Sequence, residues 1–161
     1  MISIAIVSRD YKQYEQLFAQ SELAQYYTLV CACDVADHTR INGAEVILGE
    51  PVLNAPYILK HAHLRWFQST WAGNNALQHT AVHPYTLTGV KGIFAEQMRE
   101  YVMAYLLYFS RNIAGFTASQ RTQTWQAAPY SSLAKKTLGI LGMGNIGSGI
   151  ADIAQQFNMN V

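Results

Sequence analysis

Apolar and polar positions along this chain follow two periods in turn. Residues 2–7 form a short apolar run closed by Ser8, Arg9 and Asp10, the pattern of a buried strand. Residues 11–20 then place Tyr14, Leu17 and Phe18 at helical spacing. Further strands are predicted over 27–33, 44–48, 64–68 and 85–90, with a helix over 52–59 and a loop of small residues over 69–75. Short apolar strands alternating with helical stretches predict βαβ units and a parallel sheet covered on both faces. Right-handed crossovers then leave a flavodoxin-like α/β domain as the expected architecture.

After Gly92 the pattern changes. Residues 96–111 predict a helix with Met98, Tyr101, Val102, Tyr105, Leu106 and Phe109 on one face, and Met103, Ala104, Leu107 and Tyr108 make it apolar nearly all round. Such a helix is expected to be buried on several sides, against a second domain or a second subunit. A more polar helix is expected over 117–126, before Pro129, and a strand over 137–141. The helix that follows carries Ile146, Ile150, Ile153 and Phe157 as its predicted buried face.

Composition narrows the class. Of 161 residues, 50% are hydrophobic and 13% charged, which describes a globular chain and not a disordered one. A net charge of +1 offers no electrostatic reason to expect nucleic acid or an anionic membrane as partner. The longest apolar run, residues 101–109, is too short for a bilayer, which takes roughly 20 residues. The N-terminus has neither the basic start nor the small-residue cleavage site of a secretory signal. Cys31 and Cys33 lack a second Cys or Cys/His pair at zinc spacing, so they read as reduced thiols of a cytoplasmic protein. The five histidines, His38, His61, His63, His79 and His83, are expected on the surface.

The chemistry concentrates in one segment, Gly142-Met143-Gly144-Asn145-Ile146-Gly147, a G-x-G-x-x-G placed between a predicted strand and a predicted helix. Gly142 permits the tight turn, Gly144 lets the backbone approach a pyrophosphate, and Gly147 lets helix and strand pack closely. The helix N-terminus adds unpaired N–H groups and the positive end of its dipole. The bland alternative is a glycine-rich turn used only for packing. The residue that selects NAD or NADP belongs about 20 residues beyond the first glycines, at the end of the next strand. The chain ends at Val161, so a truncated nucleotide-binding domain is expected.

Three segments in order resemble the D-isomer-specific 2-hydroxyacid dehydrogenases, in particular their glyoxylate/hydroxypyruvate reductase branch. They are residues 64–73 (LRWFQSTWAG), 92–107 (GIFAEQMREYVMAYLL) and 138–147 (LGILGMGNIG). The resemblance covers the chain from about Leu64 onward. It implies a substrate domain over 1–93, then over 94–161 an interdomain or dimer helix and the first βα unit of a Rossmann-type NAD(P)-binding domain. It implies NAD or NADP as cofactor, a small 2-oxo or 2-hydroxy acid such as glyoxylate or hydroxypyruvate as substrate, and a homodimer through the helix carrying Tyr101 and Phe109. The loop Trp71-Ala72-Gly73 would present backbone N–H groups to the substrate carboxylate, with Trp71 either lining the pocket or covering the core edge. For Ala72 and Gly73 the alternative is an ordinary turn after a strand. The Arg, His and acidic residue that the family uses for substrate and proton are expected beyond Val161, leaving this chain inactive by itself.

Two other classes stay open. A receiver-like signalling module shares the flavodoxin-like fold, with Asp10 and Lys91 loosely in place, but Glu50 stands where its phospho-accepting Asp belongs. A non-catalytic nucleotide-binding protein would need nothing beyond the glycine loop.

Overall fold

The computed structural model describes residues 2–33, 38–78 and 85–161. The chain divides into two compact units, Met1–Lys91 and Gly92–Val161.

In the first unit five strands, β1 (Ser3–Val7), β2 (Thr28–Ala32), β3 (Val46–Gly49), β4 (Trp66–Ser69) and β5 (Thr86–Thr88), form one sheet in the order β2-β1-β3-β4-β5. Every pairing is parallel, with Ala5 opposite Val30 on one side and Ile47 on the other. This is the flavodoxin-like strand order, and its reversal of direction lies between β1 and β3. The helices are α1 (Tyr11–Ala19), α2 (His38–Ile41), α3 (Pro51–Asn54) and α4 (Asn75–Gln78). The core is apolar and branched. Ala5, Val7, Ile47 and Phe67 from the strands meet Ile41, Ile58, Leu64 and Leu77 from the connections, all buried.

The expected helix over 52–59 is divided. Pro51 starts α3 with its preset φ, but Pro56 has no N–H to give the next turn, and a short 3-10 turn, Ile58–Lys60, follows instead. His61 also departs from expectation, since it is buried while His63 is exposed. His79, His83 and the side chain of His38 lie outside the described residues.

The second unit holds three helices, α5 (Ala95–Ser110), α6 (Ile113–Arg121) and α7 (Asn145–Gln156). Met103 is the buried residue of α5, while Tyr101 is 57% and Phe109 72% exposed, so the apolar surface expected to be buried on several sides faces outward here. Asn112 takes a left-handed φ of 49° between α5 and α6, which lets α6 begin earlier than the expected 117–126. It also ends earlier. The Thr122 hydroxyl donates to the Ala118 and Ser119 carbonyls, and Gln123 turns to a φ of 51°.

No strand forms over 137–141. A single parallel bridge joins Thr137 to Asn160, with Leu138 N–H donating to the Asn160 carbonyl at 2.8 Å. A strand is defined by its partners, and among the described residues these two segments have only each other. The buried face of α7 only partly follows expectation. Gly147, Ala151 and Ala154 are its buried residues, Ile150 and Ile153 are half-buried with Ile153 packed on the second core, and Ile146 and Phe157 are more than a third exposed. Small residues let α7 approach α5 closely. A Cβ added at Gly149 would stand 3.4 Å from Ala95 Cβ and Arg99 Cδ. Ala154 then joins Met103, Leu133 and Met159 in a small second core.

Candidate functional site

Each unit carries one of the two loops singled out by the sequence. In the first unit, β4 ends at Ser69, whose buried hydroxyl accepts from the Trp71 N–H and donates to the Trp71 carbonyl, both at 2.9 Å. This double bond fixes the turn into Trp71-Ala72-Gly73, and all three of those residues are exposed. The Trp71 N–H is therefore already engaged. The N–H groups of Ala72 and Gly73 have no acceptor among the described residues. A Cβ at Gly73 would meet nothing within 4 Å, so the backbone there borders open space. Beside it lies a cavity of about 230 Å3 lined by Pro51, Val52, Trp71, Gly73, Asn75 and Ala76. Trp71 borders this cavity at 41% exposure.

Residues to which the sequence pattern assigned no place in the site stand next to that cavity. Glu50, the residue before Pro51, is 4% exposed and follows β3 with a carboxylate inside the protein. Its Oε1 accepts from Ser8 Oγ at 3.0 Å and from the Arg9 N–H at 2.7 Å, and its Oε2 accepts from Arg9 Nη1 at 3.0 Å. Buried Asn54 donates to the Glu50 carbonyl at 2.8 Å and reaches the Val7 carbonyl at 3.5 Å. A carboxylate so enclosed is no exposed phospho-acceptor. The available signal was an acidic residue between strand end and proline, facing Ser-Arg at the end of the neighbouring strand.

In the second unit, the glycine loop has three different environments. Gly142 takes a φ of 100°, which only glycine adopts without strain. A Cβ at Gly147 would overlap the Gly142 carbonyl oxygen and stand 3.3 Å from Ile140 Cγ2, so this glycine is needed for packing. Gly144 is the N-cap of α7, and a Cβ there would meet nothing within 4 Å. The first-turn N–H groups that follow, at Asn145, Ile146 and Gly147, have no intrahelical acceptor and lie at the positive end of a 12-residue helix. Met143 is 62% exposed beside them. A tight turn, an open approach and a row of free donors together fit a pyrophosphate.

A larger cavity of about 650 Å3 lies elsewhere in this unit, between α6 and the segment that includes Trp125 and Tyr130. It has no charged lining residue and is not where the polar groups converge. Cys31 and Cys33 are free thiols. Burial, and then the nearby Glu15 carboxylate, push the Cys31 thiol up to about 11 against the opposing pull of Arg40, which leaves it a poor nucleophile. Among the described residues no helix is long and apolar enough to cross a membrane.

Residues 103–161 match the D-isomer specific 2-hydroxyacid dehydrogenase NAD binding domain. Along the whole chain the backbone superposes on a D-isomer specific 2-hydroxyacid dehydrogenase family protein from Aeromonas salmonicida subsp. salmonicida A449. The TM-score is 0.92 at 34% identity, over 98% of this chain and 51% of that one. The matched domain and the superposed structure both indicate the D-isomer specific 2-hydroxyacid dehydrogenase family. A 67-residue stretch, 42% of this chain, is 33% identical to 21% of a glyoxylate/hydroxypyruvate reductase A from Serratia proteamaculans (strain 568). A glyoxylate reductase from Paecilomyes thermophila shares the fold at a TM-score of 0.80 and 16% identity, over 99% of this chain and 54% of that one. The chain thus spans about half the length of the solved family members it matches.

Proposed function

We propose that this chain supplies two of the binding loops of an NAD(P)-dependent 2-hydroxyacid dehydrogenase that reduces a small 2-oxo acid such as glyoxylate or hydroxypyruvate. The observation that carries the reading is the glycine loop, where Gly147 is closed by packing while Gly144 opens onto unpaired donors. On this reading residues 1–93 form the substrate domain, in the cytoplasm, and residues 94–161 begin the nucleotide domain.

The Ala72 and Gly73 N–H groups grip the substrate carboxylate, which they can do because no acceptor among the described residues occupies them. The N–H groups of Asn145, Ile146 and Gly147 hold the cofactor pyrophosphate, with Met143 beside it and Gly142 setting the turn. When bound, the nicotinamide supplies the hydride, and its chemistry belongs to the cofactor. The acid–base step is assigned to the half of the relatives that this chain does not span. Such a step contributes roughly 10²–10⁴-fold to rate, so the chain alone is inactive. The aromatic surface of α5 is the homodimer face. The Tyr101 and Tyr105 rings lie 4.8 Å apart and those of Tyr105 and Phe109 6.3 Å apart, in tilted pairs, all on exposed side chains.

The test compares this chain with one extended to the full length of its relatives, using glyoxylate and hydroxypyruvate with NADH and then NADPH. Turnover is expected only from the extended chain, with Gly73→Val raising its KM sharply while the Tm stays in place. Equal turnover by the two chains, or unchanged kinetics in Gly73→Val, would refute the assignment.

A further inference from the structure

The Ser8-Arg9-Glu50 cluster is not accounted for by the two loops. A carboxylate inside a protein is costly unless paired and hydrogen-bonded, and here both oxygens of Glu50 are engaged. If its only work were to tie β1 to β3, the two donors from Ser8 Oγ and the Arg9 backbone would already satisfy it. The third donor is different. Arg9 brings its guanidinium to Glu50 Oε2 while 63% of its side chain stays in solvent, so the group is held in one orientation with its other N–H donors unspent.

The position of that group is informative. Arg9 follows β1, Glu50 follows β3 and Trp71 follows β4, three adjacent strands of a parallel sheet. All lie outside the carboxyl ends of the strands, where open α/β sheets bind ligands, and the β1/β3 step is the switch point. Two inter-strand steps of about 4.8 Å separate the ends of β1 and β4 by roughly 10 Å. The bond to Glu50 directs the Arg9 side chain along the strand order, toward the end of β3, where the next residues, Pro51 and Val52, line the cavity that Gly73 also borders. The gap suits a short extended diacid hydrogen-bonded at both ends.

We infer that Arg9, oriented by the buried Glu50 carboxylate, is a second anion-recognition point of this cleft, so that the unit prefers 2-hydroxy and 2-oxo acids carrying a second carboxylate. Ser8 and Glu50 act as positioning residues, and only Arg9 touches the ligand. The inference rests on Ala72 and Gly73 holding the first carboxylate, and it narrows the substrate class of that same site.

The experiment uses the chain as it stands, isotopically labelled, and follows the Ala72 and Gly73 amides and the Arg9 side chain by nuclear magnetic resonance during titration with D-malate or D-lactate. The expected result is movement of both sets of signals with D-malate, at a Kd at least about tenfold below that of D-lactate, the scale of one charge-assisted hydrogen bond. Arg9→Ala should bring the ratio near one. Arg9→Lys, which keeps the ion pair but loses the planar fork, should leave it in between. If both acids move the Ala72 and Gly73 amides equally, or if neither variant changes the ratio, the inference fails and the carboxylate loop stands. D-malate that moves Arg9 without moving Ala72 and Gly73 would also overturn it, by showing an isolated surface contact. If neither acid moves Ala72 and Gly73, the carboxylate loop fails as well.

Discussion

The two units solve the same problem to different extents. In Met1–Lys91 every strand has a parallel neighbour, and the side chains of Ala5, Val7, Ile47 and Phe67 close a core against the connecting segments. In Gly92–Val161 the helices are complete, but the sheet is reduced to one bridge between Thr137 and Asn160, and the core to Met103, Leu133, Ala154 and Met159. The difference is one of locality. A helix satisfies its backbone within its own segment, whereas a strand depends on another segment for every hydrogen bond. The glycine loop and α7 therefore take shape even where their strand does not.

The contrast can be broken most forcefully at Phe67, which is fully buried in the first core. Phe67→Ala should cost about 3–5 kcal/mol, the usual range for emptying such a site. Amide exchange should show protection lost through β1, β3 and β4 and retained in α7. Uniform loss across both units would mean that they fold as one cooperative body.

A smaller effect is expected inside the glycine loop. Gly147→Ala drives a Cβ into the Gly142 carbonyl and should destabilise α7 by about 1–3 kcal/mol, read as faster exchange of its amides. Gly144→Ala meets no atom within 4 Å and should leave those amides unchanged while weakening NADH binding by the extended chain. Equal effects on α7 stability from both would remove the distinction between a packing glycine and a ligand-facing one.

The smallest stability change belongs to the α5 surface. Tyr105 is half exposed, and Tyr105→Glu should shift the Tm little, since surface changes usually stay within about 0.5 kcal/mol. Sedimentation should nevertheless move from dimer to monomer. A wild-type monomer, or a variant that still dimerises, would show that this aromatic face is covered in some other way.

Much of the first unit was legible because periodicity reports burial directly. Residues 2–7 and 27–33 were apolar runs too short for helices and each contains an observed strand, while 64–68 overlaps β4 and ends one residue before it does. The helix expected over 52–59 was misjudged by reading its apolar spacing without its proline, since Pro56 divides it. The α7 face was misjudged for the opposite reason. Large isoleucines mark a hydrophobic stripe, but the buried positions are those with the smallest side chains, Gly147, Ala151 and Ala154, and α5 is approached closely at Gly149. The Trp71-Ala72-Gly73 loop was visible as small residues after a strand, whereas the Ser69 hydroxyl that shapes it was not, because one serine gives no periodic signal.

By itself, the sequence determined the α/β class, the long apolar α5 and the glycine loop opening a helix, since each rests on residues close together in the chain. Only the tertiary structure decided that Glu50 is buried, that Ser8 and Arg9 enclose its carboxylate, and that its neighbour Pro51 shares a cavity with Gly73. Those contacts join residues some 20 to 40 positions apart. They exist because β3 lies between β1 and β4, and a parallel sheet brings together strand ends that the chain itself keeps apart.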